Sequence, residues 1–270
     1  MPLAVTCVDS RHQANSFHLH PPNRYKKMEE DMQTDIVSSQ RQKVLRRIIL
    51  LGTPLILGVL ELGHPLLDRV NPIKMLAPIS MWWIVLHLLL IPLFALMGYA
   101  IFILIRDINS PSAILCRYAT VIYISFAIGY DALVGLTSGV LASNASSLTN
   151  AQQSILLEAM HQFYTSPAIT VSGYILVVSG ILSICAAAWT LYHAGVPLLP
   201  VIVLLGTVLT AYSHALPFGP IGSACFFVAA LWIELVWRKS PSGEKHGMGN
   251  DGATHKDEVL TGNVVNGEQA

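Results

Sequence analysis

Charged residues are scarce in this chain of 270 amino acids, where Lys and Arg number 16 and Asp and Glu number 16, or 12% of the residues. Soluble domains carry about 25% charged residues, whereas hydrophobic residues reach 53% here. This composition excludes a disordered chain and a typical cytosolic enzyme. Neither charged end of the chain, with eight Lys/Arg against five Asp/Glu and four against five, is charged enough to suggest a nucleic-acid partner. The composition therefore predicts a polytopic membrane protein.

Cysteine and the common catalytic motifs are equally sparse. The four cysteines, Cys7, Cys116, Cys185 and Cys225, are far apart and form no C-x-x-C pair, so we expect neither a disulfide framework nor a thiolate metal site. The sequence contains no H-E-x-x-H, no G-x-S-x-G and no Walker loop. Those signatures belong to zinc metalloproteases, α/β-hydrolases and P-loop proteins, and their absence leaves the reaction class unassigned.

The charges that are present concentrate at the two ends of the chain. Residues 48–237 contain ten of them, and the two ends contain the other 22. This distribution predicts a disordered cytoplasmic N-terminal tail over residues 1–47, a transmembrane domain over residues 48–237 and a disordered cytoplasmic C-terminal tail over residues 238–270. We expect no cleavable signal peptide ahead of the first apolar run.

Continuous apolar segments predict about six transmembrane helices, because crossing the hydrocarbon core takes about 20 apolar residues in a helix. The predicted spans are Ile48–Leu67, Met81–Ile105, Tyr118–Leu141, Ala168–Tyr192, Leu198–Ser213 and Ile221–Trp237. Glycine and proline mark the tight turns between the last three spans. The predicted fold class is therefore all-α, a polytopic transmembrane helical bundle.

Lysine and arginine determine the predicted orientation, because they are enriched in cytoplasmic segments. With both termini in the cytoplasm, 14 of them lie inside, and only Arg69 and Lys74 lie outside. We therefore expect a multi-pass protein of the cell membrane, with the loop Ala142–Pro167 on the outer side. In that loop, a capping-box pattern at Thr149 predicts a short amphipathic helix.

A few ionisable side chains lie within or at the ends of the predicted spans, where an unneeded charge is expensive. At about 1.5 Å per residue, five of them share one layer in the outer half of the membrane. Imidazole and carboxylate side chains of this kind suit zinc or iron. The predicted metal ligands are His64, His87, Asp131 and His214. The predicted catalytic residue is Glu61, as the general base for a metal-activated water.

A second candidate set of metal ligands lies in the predicted outer helix. Glu158 and His161 are three residues apart, as are Glu61 and His64, so each pair shares one face of its helix. Paired Glu-x-x-His motifs build di-metal sites in soluble four-helix bundles. Glu158 and His161 could therefore approach the layer from above.

Four functions are compatible with this layer. The first is a metal-dependent enzyme that acts on a lipid-like substrate from the outer half of the bilayer. The second is a proton-linked transporter or channel in which Glu61 and Asp131 titrate. The third is a b-type haem protein with His87 and either His64 or His214 as axial ligands. The fourth is a non-catalytic membrane protein that acts through a partner. The expected partners are the lipid bilayer and a small-molecule or lipid substrate, without nucleic acid.

The orientation can be tested with single cysteines in a cysteine-free background. Ser146→Cys in the outer loop should react with a membrane-impermeant maleimide added outside intact cells, because the cysteine and the reagent are then on the same side of the membrane. Ser240→Cys in the C-terminal tail should react only after the membrane is opened. Labelling of Ser146→Cys from the cytoplasmic side alone would contradict the predicted orientation.

Overall fold

The computed structural model of the protein describes residues 40–66, 70–145 and 147–237. Every regular element within these ranges is helical and none is a strand, which confirms the predicted all-α class. The chain divides into two units, Met1–Val44 and Leu45–Ala270. In the first unit only residues 40–44 are described, and they are helical. Most of the expected N-terminal tail, and all of the C-terminal tail, lie outside the described residues.

The second unit contains ten α-helices in its described part, labelled α1 to α10 in chain order. They are α1 (Thr53–Leu62), α2 (Pro72–Leu76), α3 (Ser80–Leu104), α4 (Pro111–Tyr130), α5 (Thr137–Ala145), α6 (Asn150–Thr165), α7 (Pro167–His193), α8 (Leu198–Leu205), α9 (Val208–Tyr212) and α10 (Phe218–Trp232). Three π-helical segments extend them. Ile48–Gly52 precedes α1, Asp131–Leu136 joins α4 to α5, and Ile233–Trp237 follows α10.

Within the described residues, four helices are long and apolar enough to cross a membrane. They are Pro72–Leu104, Pro111–Ala145, Pro167–His193 and Phe218–Trp237. The apolar helix Leu198–Tyr212 is shorter, and Gly206 separates its two parts, α8 and α9. The structure therefore supports a protein with several membrane-compatible helices, whereas the full number of six spans stays a prediction.

Two of the predicted helix bounds are wrong for local reasons. The expected span Tyr118–Leu141 is part of a longer helix, Pro111–Ala145, which starts early because the side chain of Ser110 caps its first turn. The first helix ends at Leu62, short of its expected end, and Gly63 forms its C-cap. The early end matters, because it leaves the residues that follow free to turn into the bundle.

Small side chains allow α4 and α7 to pack closely. Ser183 and Ala187 of α7 are buried, and the Ser183 hydroxyl is hydrogen-bonded to Thr120 of α4. The thiol of Cys116 donates to the main-chain oxygen of Ser183 over 3.3 Å. Small residues and hydroxyl groups are the usual means of packing helices in a membrane. These contacts hold the N-terminal half of α4 against α7, and the segment that begins with Asp131 follows the other end of α4.

Helix α6 has the capping box that its sequence indicates. The Thr149 hydroxyl accepts a hydrogen bond from the backbone N–H of Gln152, and the Gln152 side chain accepts one from the backbone N–H of Thr149. Met160 on its apolar face packs with Ile73 and Ala145. The helix thus lies against α2 and α5, and its position on the outer side stays a prediction.

Candidate metal centre

Three histidines meet in the interior of the bundle, and each comes from a different element. His64 follows α1, His87 lies within α3, and His214 lies in the turn between α9 and α10. Each ring offers one nitrogen, and the three nitrogens lie within 4.8 Å of one another. His64 and His87 are 4% and 2% exposed. The structure thus brings together three of the four predicted ligands in one compact group.

Backbone hydrogen bonds orient two of the rings. Nδ1 of His87 donates to the main-chain oxygen of Trp83 over 2.7 Å, and Nδ1 of His64 donates to the main-chain oxygen of Pro65 over 2.9 Å. A proton on Nδ1 leaves a free lone pair on Nε2 in the neutral ring. Metal-binding histidines commonly have this arrangement, in which a second-shell acceptor holds one nitrogen and the other faces the ion.

Asp131 brings a carboxylate to the three histidines. It is the first residue of the π-helical segment between α4 and α5, and such segments are frequent at functional sites. Its Oδ1 atom lies 3.7 Å from Nε2 of His87 and 4.0 Å from Nε2 of His214. The fourth predicted ligand therefore lies beside two of the other three, His87 and His214. We refer to His64, His87, His214 and Asp131 together as the His3Asp cluster.

The His3Asp cluster contains buried polar atoms that lack hydrogen-bond partners. They are Nε2 of His64, Nε2 of His214 and both carboxylate oxygens of Asp131. Leaving a buried polar group unsatisfied costs about 1–3 kcal/mol, and such groups are rare in native proteins. A cation held by the cluster would be a partner for the lone pairs of these groups. The donor set therefore fits a metal ion.

The spacing of the nitrogens also fits a metal after a small adjustment. Zinc–nitrogen bonds of about 2.0–2.1 Å in a tetrahedral site place two ligand nitrogens about 3.4 Å apart. The histidine nitrogens lie within 4.8 Å of one another, so binding requires an inward movement of roughly 1 Å. Three imidazoles and a carboxylate are ligands that suit zinc or iron.

Two residues that sequence reasoning missed support the cluster. Trp83 donates from Nε1 to the main-chain oxygen of Gly135 over 2.7 Å, and its ring packs against His64 and His87 with centroids 4.9 and 4.4 Å away. Gly135 lies against the His87 ring so closely that a Cβ there would overlap it. Trp83 is four residues before His87, so the two side chains share one helix face. That spacing is the feature of the sequence that indicates their contact.

Glu61 lies close to the cluster but is directed elsewhere. Its Oε2 atom accepts a hydrogen bond of 2.8 Å from the Ser223 hydroxyl of α10, and its main-chain oxygen accepts one from the backbone N–H of His64. The residue is fully buried, and Oε1 has no hydrogen-bond partner. Glu61 thus connects α1 to α10. His64 follows the first of these helices, and His214 precedes the second.

The second candidate set is separate from the cluster. Glu158 accepts a hydrogen bond from the side chain of Gln162 over 2.9 Å. His161 donates from Nε2 to the main-chain oxygen of Val70 over 3.1 Å, so this nitrogen carries a proton. Glu158 and His161 are not in the metal-ligating group found among the described residues. Their hydrogen bonds are those of a solvated helix face.

A cavity of about 520 Å³ adjoins the cluster. The three histidines and Asp131 all line it, Glu61 does not, and it continues along α4 as far as Tyr123. A metal ion held by the cluster would therefore keep one side open to a small molecule. Catalytic metal sites have this form, with three protein ligands and an open position where water binds and becomes a nucleophile.

The same packing leaves no room for a haem between these histidines. A bis-histidine haem places the macrocycle between its two axial ligands. Here the His64 ring packs edge-on against both His87 and His214, with centroids 5.2 and 4.7 Å away. A macrocycle between any two of the rings would have to displace the third.

Comparison of the chain with protein-family models, curated proteins and solved structures gives no match.

Gly135 provides a test of the geometry that does not alter any ligand. In Gly135→Ala the new methyl group overlaps the His87 ring, so the imidazole must move. We expect the affinity for Zn²⁺ to fall about 10–100-fold, as it does when second-shell support is lost. Chelator competition with the purified protein measures this change. Gly129→Ala is the matched control, because a Cβ at Gly129 meets nothing within 4 Å; equal affinities would contradict the assigned geometry.

Proposed function

We propose that this protein is a membrane-embedded, metal-dependent hydrolase that acts on a lipid-like substrate from the outer half of the bilayer. The observation that carries the proposal is the group of three inward-facing imidazoles, two of them with Nδ1 bonded to backbone carbonyls. Zinc or iron at this position would generate a hydroxide nucleophile near neutral pH. The adjoining cavity is where the substrate would meet it.

The proposed membrane arrangement has six spans. Four are the long apolar helices, and the shorter helix Leu198–Tyr212 is the fifth in chain order. The first consists of Ile48–Gly52 and α1, which together form fifteen consecutive helical residues. Short or broken helices are tolerated in membranes when neighbouring helices satisfy their free backbone groups. The contact of α1 with α10 through Glu61 and Ser223 supports this place in the bundle.

The proposed orientation follows from the excess of lysine and arginine in the tails and in the turn between α3 and α4. Both termini then lie in the cytoplasm, and α6 lies at the outer surface of the cell membrane. The His3Asp cluster lies toward the same end of the bundle as α6, because His64 follows α1 and Asp131 follows α4 in the outward direction. Substrate would therefore reach it from the outer leaflet.

Within the cluster, we assign His64, His87 and His214 as the ligands that hold the ion. Asp131 occupies the fourth side, where its carboxylate either coordinates the ion or accepts the proton of a metal-bound water. The distances of 3.7 and 4.0 Å from its Oδ1 to two ring nitrogens support both roles. In either role a negative carboxylate beside the cation lowers the cost of burying each charge.

Glu61 is less favourably located for the catalytic role that its position in the sequence indicates. The general base must approach the reacting water within hydrogen-bond distance or through one water, and Asp131 lines the cavity whereas Glu61 does not. We therefore propose Asp131 as the base and Glu61 as a positioning residue for His64. The catalytic role of Glu61 stays a prediction, and Glu61→Gln with unchanged turnover per bound metal would contradict it.

Metal content is the primary test of the proposed function. The full-length protein, purified in detergent and loaded with Zn²⁺ or Fe²⁺, should retain about one ion per chain after dialysis. His64→Gln, His87→Gln and His214→Gln should each weaken binding at least about 100-fold, because a direct ligand is lost. Mass spectrometry of the metal, with chelator competition, measures both quantities.

His161→Gln is the matched control for these variants, because it removes an imidazole that bonds to a backbone carbonyl outside the cluster. It should retain the wild-type metal content. Asp131→Asn keeps all three imidazoles and should lose less metal than the histidine variants. A wild-type protein that retains no metal would contradict the proposal. It would favour the proton-linked alternative, in which the buried carboxylates of Glu61 and Asp131 titrate.

A further inference from the structure

The cavity extends well beyond the metal-binding end. Along α4 and the segment after it, the lining residues run from Gly135 through Asp131 and Ala127 to Tyr123. At about 1.5 Å per residue, Asp131 and Tyr123 are about 12 Å apart along the helix axis. The part of the cavity between these two levels lies below the His3Asp cluster, toward the middle of the bundle, and we call it the lower lobe.

The walls of the lower lobe are mostly apolar and carry two hydroxyl groups, those of Tyr123 and Thr210. They are formed by Phe94 of α3, Tyr123 and Ala127 of α4, Leu176 and Val177 of α7, and Ala211 of α9. The polar lining groups of the cluster lie at the other end. The cavity as a whole thus has one metal-ligating end and one elongated apolar end. This division matches a ligand with a polar head and a hydrocarbon tail.

We infer that the lower lobe binds the alkyl chain of a single-chain amphiphile whose polar head lies at the His3Asp cluster. For the head group the inference rests on the proposed metal site. The volume of about 520 Å³ lies in the range of pockets that enclose one small molecule, about 300–1,000 Å³. The whole cavity, cluster end included, therefore suits a head group with one chain, such as a fatty-acyl ester or amide, rather than a diacyl lipid.

The opening of the cavity supports entry from the bilayer. The exposed lining residues include Thr170 and Tyr174 near the start of α7, and Tyr174 is 68% exposed. They lie on a helix that is long and apolar enough to cross the membrane. Gly173 lies between them, and its lack of a side chain lets the Tyr130 ring pack close to it, since a Cβ there would be 3.3 Å from that ring.

The orientation of the lobe also matches that of a lipid in the outer leaflet. In such a lipid the head group is near the outer surface and the chain points toward the middle of the membrane. Along α4, from the outer surface toward the middle of the membrane, the cluster comes first and the lower lobe second. An amphiphile can therefore move sideways into the cavity without reversing its orientation, and its head then arrives at the metal.

Alkyl hydroxamates of increasing chain length test this inference without requiring a known substrate. The hydroxamate group binds metals, and the chain can be varied from acetohydroxamate to decanohydroxamate. The full-length protein is loaded with Co²⁺, whose visible absorption changes when a hydroxamate coordinates it, and is titrated in detergent. Wild-type affinity should rise with chain length until the lower lobe is filled.

Ala127→Leu and Gly129→Leu form the matched pair of variants. Both introduce leucine on α4, but Ala127 lines the lobe whereas a Cβ at Gly129 meets nothing within 4 Å. Ala127→Leu should bind decanohydroxamate about tenfold more weakly than Gly129→Leu, which corresponds to the lost burial of one or two methylene groups. Acetohydroxamate, which does not reach the lobe, should bind both variants equally.

The outcomes separate this inference from the proposed function. Partitioning of the long chain into detergent changes its apparent affinity equally in both variants, so the difference between them reports only the lobe. Identical chain-length profiles for the two variants, with Co²⁺ bound and responding to acetohydroxamate, would overturn the inference and leave the metal site intact. A protein that binds no Co²⁺, or whose bound Co²⁺ does not respond to any hydroxamate, would instead overturn the proposed function.

Discussion

The cost of burying polar atoms without partners is the constraint on which this structure depends. In a bundle of apolar helices, buried imidazole and carboxylate groups need partners, because each unsatisfied group costs free energy. The His3Asp cluster gathers several such atoms in one place. A cation bound at the cluster would be a shared partner for these atoms.

The fold creates this group at points where regular helix is interrupted. Gly63 ends α1 just before His64, the π-helical segment begins at Asp131, and His214 lies in the turn before α10. Only His87 projects from the middle of a helix, and there Gly135 leaves space for its ring. Interruptions are costly in a membrane, because they free backbone groups. Their concentration around one cluster is therefore typical of a functional site.

The sequence alone indicates the layer of the cluster but not its internal arrangement. The regular rise of helices was enough to predict that His64, His87, Asp131 and His214 share one depth, and the structure places these four side chains side by side. The direction in which Glu61 points depends on how α1 is rotated about its axis. These helices are apolar on all sides, so the hydrophobic pattern does not indicate that rotation. Only packing against Ser223 of α10 determines it.

Other features of the fold divide in the same way, into those that depend on local sequence and those that depend on distant contacts. The capping pattern at Thr149 is local, and the helix that follows it begins where the sequence indicates. The interruption at Gly206 and the π-helical segments depend on contacts between distant parts of the chain, so no short pattern reveals them. Trp83 is intermediate, because its spacing from His87 is visible in the sequence whereas its hydrogen bond to Gly135 is not.

X-ray absorption spectroscopy at the metal edge tests the central claim most directly, because it measures the ligands of the ion itself. For the zinc-loaded protein we expect nitrogen or oxygen neighbours at about 2.0–2.1 Å, with the multiple-scattering pattern of three imidazoles. In His214→Gln at zinc saturation, the zinc that remains bound should show the multiple-scattering pattern of two imidazoles. Sulfur neighbours at about 2.3 Å, or a spectrum without imidazole scattering, would contradict the account.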